Sequence, residues 1–166
     1  MTDDRDTDWV CAAGALPQGS VVVIRATDSN ARAQLFEKLR AIRHLRLMVA
    51  GDAKLAAEAD GLHLPEARLK QASYWRARYP HWIITAAVHS LAALLNVREA
   101  DAVFLSPVFA TASHPGARPL SPARAAFIAS ASRIPVYALG GVDGRNASRL
   151  PPAFSGIAAI SGLLCE

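Results

Sequence analysis

His89 is the side chain best suited by type and position to move a proton. It follows the apolar run WIITAAV, at the point where the strand predicted by that run would end. An imidazole accepts and returns a proton near neutral pH, so a histidine at a strand end is a candidate general acid or base. The alternative is a structural histidine held by hydrogen bonds within the fold. His63, in ADGLHLPE, is expected to pack beneath the site.

Two glycine-containing segments near the end of the chain predict a phosphate site. IPVYALGGV contains Gly140 and Gly141, and the next apolar run leads to Ile160, Ser161 and Gly162. Glycine lets backbone N–H groups approach an anion closely, because no Cβ stands in the way. A plain turn at the two adjacent glycines is the alternative.

Further candidates for anion binding follow two other apolar runs. Arg25 comes after SVVVI, and DAVFLSPVFATASHP carries Thr111, Ser113 and His114. Guanidinium, hydroxyl and imidazole groups all donate hydrogen bonds to anions. The alternatives are an ion pair for Arg25 and ordinary loop positions for the other three.

Asp52 is the candidate metal ligand, with two roles open to it. A carboxylate is a hard oxygen ligand of the kind that Mg²⁺ prefers. Asp52 also directly precedes the helical pattern that starts at Ala53, where aspartate is a favoured N-cap. Capping is the favoured interpretation, and a metal site is the alternative.

The candidate residues lie in a chain whose pattern predicts an α/β fold. Seven apolar runs start near residues 20, 45, 60, 82, 102, 135 and 156, and helix-like segments separate them. This alternation indicates a parallel sheet, either doubly wound or closed as a (β/α)8 barrel. The first run is not followed by GxGxxG, and the polar candidates are spread over many strand ends, which favours the barrel. The stretch from Lys70 to Pro80 is expected to be irregular.

Composition limits the classes of function. The chain has 166 residues, of which 52% are hydrophobic and 19% charged, so we expect a single soluble, cytoplasmic domain over residues 1–166 with no membrane segment. The net charge of +4 comes from scattered arginines without a basic block. This pattern argues against nucleic acid and suits a small anionic phosphate ligand. Whether the protein forms a homo-oligomer stays open.

Five motifs in register give the chain a family resemblance. They resemble the thiamine-phosphate synthase/TenI family, from about residue 21 to residue 164, and are ADGLHLPE, TAAVHS, DAVFLSPVFATASHP, IPVYALGGV and GIAAISGLL. The resemblance implies a (β/α)8 TIM barrel with a thiazole phosphate bound by the loops around Gly140 and Ser161. By register the first strand is largely missing, and residues 1–19 are a remnant of the first β/α unit.

The resemblance implies two different reactions. Synthases join a pyrimidine pyrophosphate to a thiazole phosphate with the help of Mg²⁺, whereas TenI-like members move a proton to aromatise a thiazole phosphate carboxylate. The family's synthase pattern is eroded here, because six of its polar positions hold other residues, namely Val23, Thr27, Gly51, Arg68, Ala87 and His114. We therefore expect a TenI-like tautomerase without a cofactor. The alternatives are a divergent synthase that needs Mg²⁺ and a noncatalytic paralogue that binds a phosphate ligand.

Overall fold

The computed structural model describes residues 1–5, 8–111 and 118–163. Its central feature is one sheet of seven parallel strands, which follow one another in chain order from edge to edge. Each strand begins within one residue of the start that its apolar run predicts, so the predicted strands are confirmed. The strands are β1 (Val21–Ile24), β2 (Arg46–Ala50), β3 (Gly61–Leu64), β4 (Ile83–Val88), β5 (Ala102–Leu105), β6 (Val136–Ala138) and β7 (Gly156–Ile157).

Helical segments connect most of the strands. The stretch from Lys70 to Pro80 is largely helical, so its expected irregular conformation is wrong. The helix-like segment LAALLNVREA, between the fourth and fifth apolar runs, forms an α-helix only as far as Leu95. The α-helices are α1 (Trp9–Gly14), α2 (Ser29–Leu39), α3 (Ala53–Ala56), α4 (Ala72–Arg78), α5 (Leu91–Leu95) and α6 (Pro122–Ser130), and 3-10 helices span Glu66–Gln71, Ala147–Arg149 and Ser161–Leu163.

Short polar side chains start four of these helices immediately after strand-end loops. The Asp28 carboxylate accepts a hydrogen bond from the Ala31 amide at 2.7 Å, and the Ser90 hydroxyl accepts one from Ala93 at 3.1 Å. Each bond satisfies an N–H that has no partner within its helix. Asp52 caps α3 and Ser121 caps α6 in the same way.

The sheet has an apolar layer on each face, as expected for parallel strands covered on both sides. On the outer face, residues such as Ile24, Val49 and Leu62 pack against the helices. On the inner face, Val23 and Met48 pack with Phe104. Because these three residues come from β1, β2 and β5, the sheet must curl to bring them together.

Residues 1–5 lie between the two edge strands of the curled sheet. The Thr2 amide donates to the Val23 carbonyl at 2.9 Å, and the Met1 nitrogen donates to the Ala159 carbonyl at 3.0 Å. Within the described ranges, β7 and β1 form no strand ladder with each other. The architecture is therefore a curled seven-stranded parallel sheet, and the eight-stranded closure of the expected barrel is not part of it.

No helix within the described ranges is long and apolar enough to cross a membrane.

Candidate functional site

A cavity of about 730 Å³ opens at the carboxyl ends of the strands. Its wall combines residues that follow each of the seven strands in sequence with residues of β2, β3 and β4, so the parallel arrangement has brought together distant parts of the chain. Arg25, His89, Thr111, Gly140 and Ile160 of the predicted site contribute to this wall. It also includes Asp4, Thr27, Arg32, Gly51, His63, Glu66 and Ser106.

His89 follows β4 and is held by hydrogen bonds on two sides. Its Nδ1 lies 2.8 Å from the carbonyl oxygen of Ser106, and its backbone N–H donates to Glu66 Oε2 at 2.6 Å. A carbonyl oxygen only accepts, so Nδ1 carries the proton in this contact and the neutral ring leaves Nε2 unprotonated. The arrangement gives the exposed imidazole a fixed orientation with one nitrogen able to accept a proton.

Arg25 and Arg32 bring positive charge to the end of β1. Arg25 follows the strand directly and is exposed toward the cavity. Arg32 reaches back from α2, where its Nε donates to the Ala26 carbonyl at 2.9 Å. Arg32 could not be identified from the sequence, because its position in a helix gives no sign that the side chain turns back to the preceding strand.

The Asp4 carboxylate binds the same strand end. It accepts hydrogen bonds from the Thr27 backbone N–H and the Thr27 hydroxyl, both at 2.6 Å. These two bonds, with smaller contributions from Arg25 and Arg32, hold the pKa of Asp4 below its usual value of 3.8. The carboxylate therefore stays ionised beside the two guanidinium groups. Sequence reasoning missed Asp4, since a contact across 23 positions has no local pattern.

Asp52 lies outside the cavity wall and acts as a helix cap. Its Oδ1 accepts from the amides of Lys54 and Leu55, both at 3.1 Å, and its Oδ2 binds Arg32 Nη1 at 3.1 Å. Both carboxylate oxygens are thus engaged, which agrees with the favoured capping interpretation. Within the described ranges, no three histidine, cysteine or acidic side chains group closely enough to hold a metal ion.

Gly140 and Gly141 follow β6 with φ angles of +90° and +65°. A Cβ on Gly140 would lie 2.9 Å from the Pro107 Cα, and one on Gly141 would meet the Ala110 carbonyl oxygen. Close packing against the loop after β5 therefore requires glycine at both positions. Their amides donate to no acceptor in the part of the chain that the structure describes, so both N–H groups are available to a ligand.

Ser161 and Gly162 lie beside this loop in the 3-10 helix that follows β7. The Ser161 hydroxyl accepts a hydrogen bond from Arg5 Nη1 at 2.8 Å. Gly162 packs so closely on Val142 and Asp143 that a Cβ would collide with them. The predicted phosphate loops are therefore neighbours, and Arg5 adds a guanidinium that sequence reasoning did not identify. Ser113 and His114 lie outside the described residues.

His63 lies on β3 at the inner side of the cavity and is 4% exposed. Its Nδ1 is 2.9 Å from Thr85 Oγ1 on the neighbouring strand. Burial, together with the charge of Arg25, lowers the pKa of His63 from 6.5 to about 3. The ring is therefore neutral at physiological pH, packed beneath the other cavity residues.

Comparison with known proteins identifies the family. The sequence profile described as thiamine monophosphate synthase matches residues 2–163 of the chain. The chain belongs to the thiamine monophosphate synthase family. A thiamine-phosphate synthase of Laribacter hongkongensis (strain HLHK9) is 32% identical over 170 residues, a match that covers 96% of this chain and 78% of that protein.

Two other members of the thiamine monophosphate synthase family match this chain over only part of their own length. A thiamine-phosphate synthase of Methanoculleus marisnigri (strain ATCC 35101 / DSM 1498 / JR1) is 36% identical over 119 residues, which covers 69% of this chain and 56% of that protein. A relative from Aquifex aeolicus (strain VF5) is 41% identical over 93 residues, covering 55% of this chain and 50% of its own. The chain thus spans about half the length of these two curated relatives.

A solved structure agrees with the family assignment. Thiamine phosphate pyrophosphorylase from Pyrococcus furiosus is 25% identical and superposes with a TM-score of 0.77, covering 96% of this chain and 83% of that chain. Each of these relatives is named for the synthase reaction. The comparisons therefore favour the synthase alternative and give no support to the tautomerase interpretation of the sequence.

Proposed function

We propose that this chain carries out thiamine-phosphate synthase chemistry, in which a pyrimidine pyrophosphate and a thiazole phosphate join and pyrophosphate leaves. The match of the family profile to residues 2–163 carries the proposal, because that span contains every loop that forms the cavity. The names of the relatives support the same reaction.

Two sets of residues at the strand ends suit two anionic groups. Arg25 and Arg32 lie at the end of β1, where they would bind the pyrophosphate. The open amides of Gly140 and Gly141, with Ser161 and Arg5 beside them, would bind the thiazole phosphate. Backbone N–H groups and guanidinium groups both form strong hydrogen bonds to phosphate oxygens.

The residues do not fit the magnesium site that the synthase reaction implies. Both oxygens of Asp52 are bound, by the α3 amides and by Arg32. In the family pattern Arg68 stands where a second carboxylate is expected, and Glu66, the acidic residue that could substitute for it, accepts a hydrogen bond from the His89 backbone N–H. Mg²⁺ is usually held by one or two carboxylates beside substrate phosphates, and Asp52 is turned toward other partners. We derive no step through a metal.

The test is turnover of the two substrates by the purified protein, with pyrophosphate release as the readout. Arg25→Met should lower kcat/KM by roughly 10- to 100-fold, because a hydrogen bond to a charged group contributes about 1.5–3 kcal/mol. Arg43→Met is the matched control, since Arg43 is exposed and lies outside the cavity wall. Absence of pyrophosphate release by the unmodified protein would refute the proposed function.

The orientation of His89 favours proton transfer as a second candidate function. With Nδ1 held by the Ser106 carbonyl, Nε2 could take a proton from a thiazole phosphate carboxylate. His89→Asn keeps an N–H that can donate to Ser106 but removes the base. Aromatisation of the carboxylate by the wild type, lost in His89→Asn with folding intact, would establish this reaction. If wild type and variant do not differ, His89 is not the proton carrier.

We also propose that residues 1–5 complete the barrel at its carboxyl end, in the place of a first strand. The bonds from Thr2 to Val23 and from Met1 to Ala159 link the two edge strands there. The loops of both proposed phosphate sites depend on this link, because Arg25 follows β1 and Ser161 follows β7.

A further inference from the structure

A second cavity, of about 450 Å³, opens at the amino ends of the strands. Its wall includes residues that lie at the start of five strands or within one residue of it, namely Val21, Ile83, Ala102, Pro135 and Ile157. A volume of this size is typical of sites for small molecules. This amino-end cavity lies at the opposite end of the sheet from the loops to which the proposed reaction belongs.

A layer of packed side chains separates the two cavities. Val23, Met48 and Phe104 of the inner face line the amino-end cavity and form one apolar cluster. Thr85 lines it as well, and its hydroxyl is hydrogen-bonded to His63, which lines the cavity at the carboxyl ends. Within residues 1–5, 8–111 and 118–163, Met1 is the one residue that both walls share. The amino-end cavity is therefore a site of its own.

Small residues and an open sheet leave this end of the interior unfilled. A closed barrel fills its interior with stacked layers of side chains. Here the wall contains Gly19, Ala102 and Ala158, and β7 forms no ladder with β1 in the part of the chain that the structure describes. Val21 and Ile157, on the two edge strands, are 42% and 44% exposed although both line the cavity. Apolar side chains exposed together at the mouth of a cavity are typical of a binding site.

The charges of the wall exclude an anionic ligand. Among the wall residues that the structure describes, Asp101 has the one charged side chain, and its Oδ2 accepts from Arg76 Nη2 at 2.6 Å. Burial, with a smaller contribution from Arg25, lowers the pKa of the Met1 amino group from 8.0 to about 6, so this group is neutral at about pH 8. Moving an unpaired anion from water to such a wall is unfavourable. The substrates of the proposed reaction, which carry phosphate groups, are therefore not the ligands of this cavity.

Two aromatic rings in the wall suit a flat molecule. The rings of Phe104 and Tyr137 have centroids 5.9 Å apart and are inclined by 52°. Aromatic rings pack favourably on such surfaces. The Tyr137 hydroxyl forms no hydrogen bond with the residues that the structure describes, and it is not fully enclosed. It is therefore available to a polar group of a ligand.

We propose that the amino-end cavity binds a small, flat, uncharged aromatic molecule with a polar group that hydrogen-bonds to Tyr137. The ligand enters between β1 and β7, past Val21 and Ile157. It displaces water for which the apolar wall provides few hydrogen bonds, so binding gains from the hydrophobic effect. This site does not depend on the proposed function, because its wall shares no side chain with either proposed phosphate site.

The first experiment is a titration with N-phenyl-1-naphthylamine, an uncharged dye whose fluorescence rises in apolar surroundings. The wild type should bind one equivalent saturably. Ala102 lies two residues before Phe104 and shares its face of the sheet, so Ala102→Leu fills part of the cavity and should weaken binding about tenfold or more. Ala57→Leu is the matched control, because Ala57 is exposed and outside the cavity. Equal affinity of wild type and Ala102→Leu overturns the proposal, and Ala158→Leu decides the result if Ala102→Leu does not fold.

The second experiment tests charge and the contact with Tyr137 by displacement of the dye at about pH 8. We expect 2-naphthol to bind about tenfold more tightly than naphthalene-2-sulfonate or better, because only the sulfonate places an anion against the wall. Tyr137→Phe should weaken binding of 2-naphthol several-fold and leave that of naphthalene unchanged. Preferential binding of the sulfonate, or a Tyr137→Phe variant that binds 2-naphthol as the wild type does, contradicts the proposed ligand class.

Methyl NMR spectra of the wild type locate the bound molecule without any variant. Addition of 2-naphthol should shift the methyl signals of Val21, Met48 and Ala102, and leave those of Leu95, which is exposed on α5, unchanged. Inorganic pyrophosphate should not displace the dye. Shifts confined to Ala87, in the cavity at the carboxyl ends, or to Leu95 refute the site, and so does displacement of the dye by pyrophosphate.

Discussion

At the scale of single residues, two histidines of the same cavity differ because of their surroundings. His89 is exposed and its Nδ1 donates to a backbone carbonyl, whereas His63 is buried and its Nδ1 is hydrogen-bonded to a hydroxyl. The strand pattern of ADGLHLPE predicts that His63 lies in the sheet, and the structure agrees. The partner of each imidazole could not be predicted, because the pairing of His63 with Thr85 depends on the register between β3 and β4.

The low pKa of His63 predicts a pH dependence of stability. The pKa is about 3 in the folded protein and has its usual value of 6.5 in the unfolded chain, so the unfolded state binds more protons between these values. The contribution of His63 is therefore fully present above pH 6.5 and is lost as the pH falls. The free energy of unfolding should decrease by up to about 1.4 kcal/mol per pH unit from this group.

Urea unfolding of wild type and His63→Gln between about pH 7 and 4.5 measures this effect. The variant should show a shallower loss of stability with decreasing pH, because glutamine does not titrate. His81→Gln is the control and should keep the wild-type slope, since His81 is exposed. Equal slopes for wild type and His63→Gln would show that His63 is not held neutral by burial.

At the scale of elements, the strands were predictable and the helix ends were not. Apolar runs, which are typical of strands buried on both faces, predicted the positions of all seven strands. Helix α4 was missed because Gln71 precedes it without a side-chain capping bond, so the sequence carries no N-cap signal there. Helix α5 ends early, at Leu95, and Glu99 then adopts a φ of +57°. Such ends are decided by local hydrogen bonds and loop packing that periodicity does not describe.

The sequence left two roles open for Asp52, a helix cap and a metal ligand. The capping role gives a prediction about the stability of α3. As a cap, Asp52 needs an oxygen that accepts from Lys54 and Leu55, and asparagine supplies one. Asp52→Ala should lower the free energy of unfolding by about 1 kcal/mol, and Asp52→Asn should lower it by less. Equilibrium urea unfolding of the two variants checks this order. If both variants lose the same stability, the charge pairing with Arg32 matters more than the cap.

At the scale of the whole molecule, the apolar runs predicted seven strands, and the family resemblance predicted a remnant of the first β/α unit before them. The structure places α1 and residues 1–5 in that remnant. The bonds through which residues 1–5 join β1 to β7 could not be predicted. The contact of Met1 with Ala159 spans 158 positions, and neither segment has a period or motif that marks it. The cavity contacts of Asp4 and Arg5 have the same non-local origin.

The last prediction concerns Thr2, which ties residues 1–5 to β1 through both its backbone and its side chain. Its amide donates to the Val23 carbonyl, and its hydroxyl accepts from the Arg25 amide at 3.0 Å in a position that is 2% exposed. Thr2→Val keeps the shape but leaves the Arg25 N–H without its acceptor. The free energy of unfolding should fall by about 1–3 kcal/mol, the usual effect of an unsatisfied buried donor.

Thr2→Ser is the matched control, because it keeps the accepting oxygen and loses only a methyl group. Hydrogen exchange of the Arg25 amide gives a local readout beside urea unfolding. Exchange should be faster in Thr2→Val than in Thr2→Ser, since the bond that protects the amide is absent in the valine variant. If both variants exchange and unfold alike, residues 1–5 do not hold the end of β1. The proposed completion of the barrel by this segment would then be wrong, because its contact with β1 would contribute nothing to the closed arrangement.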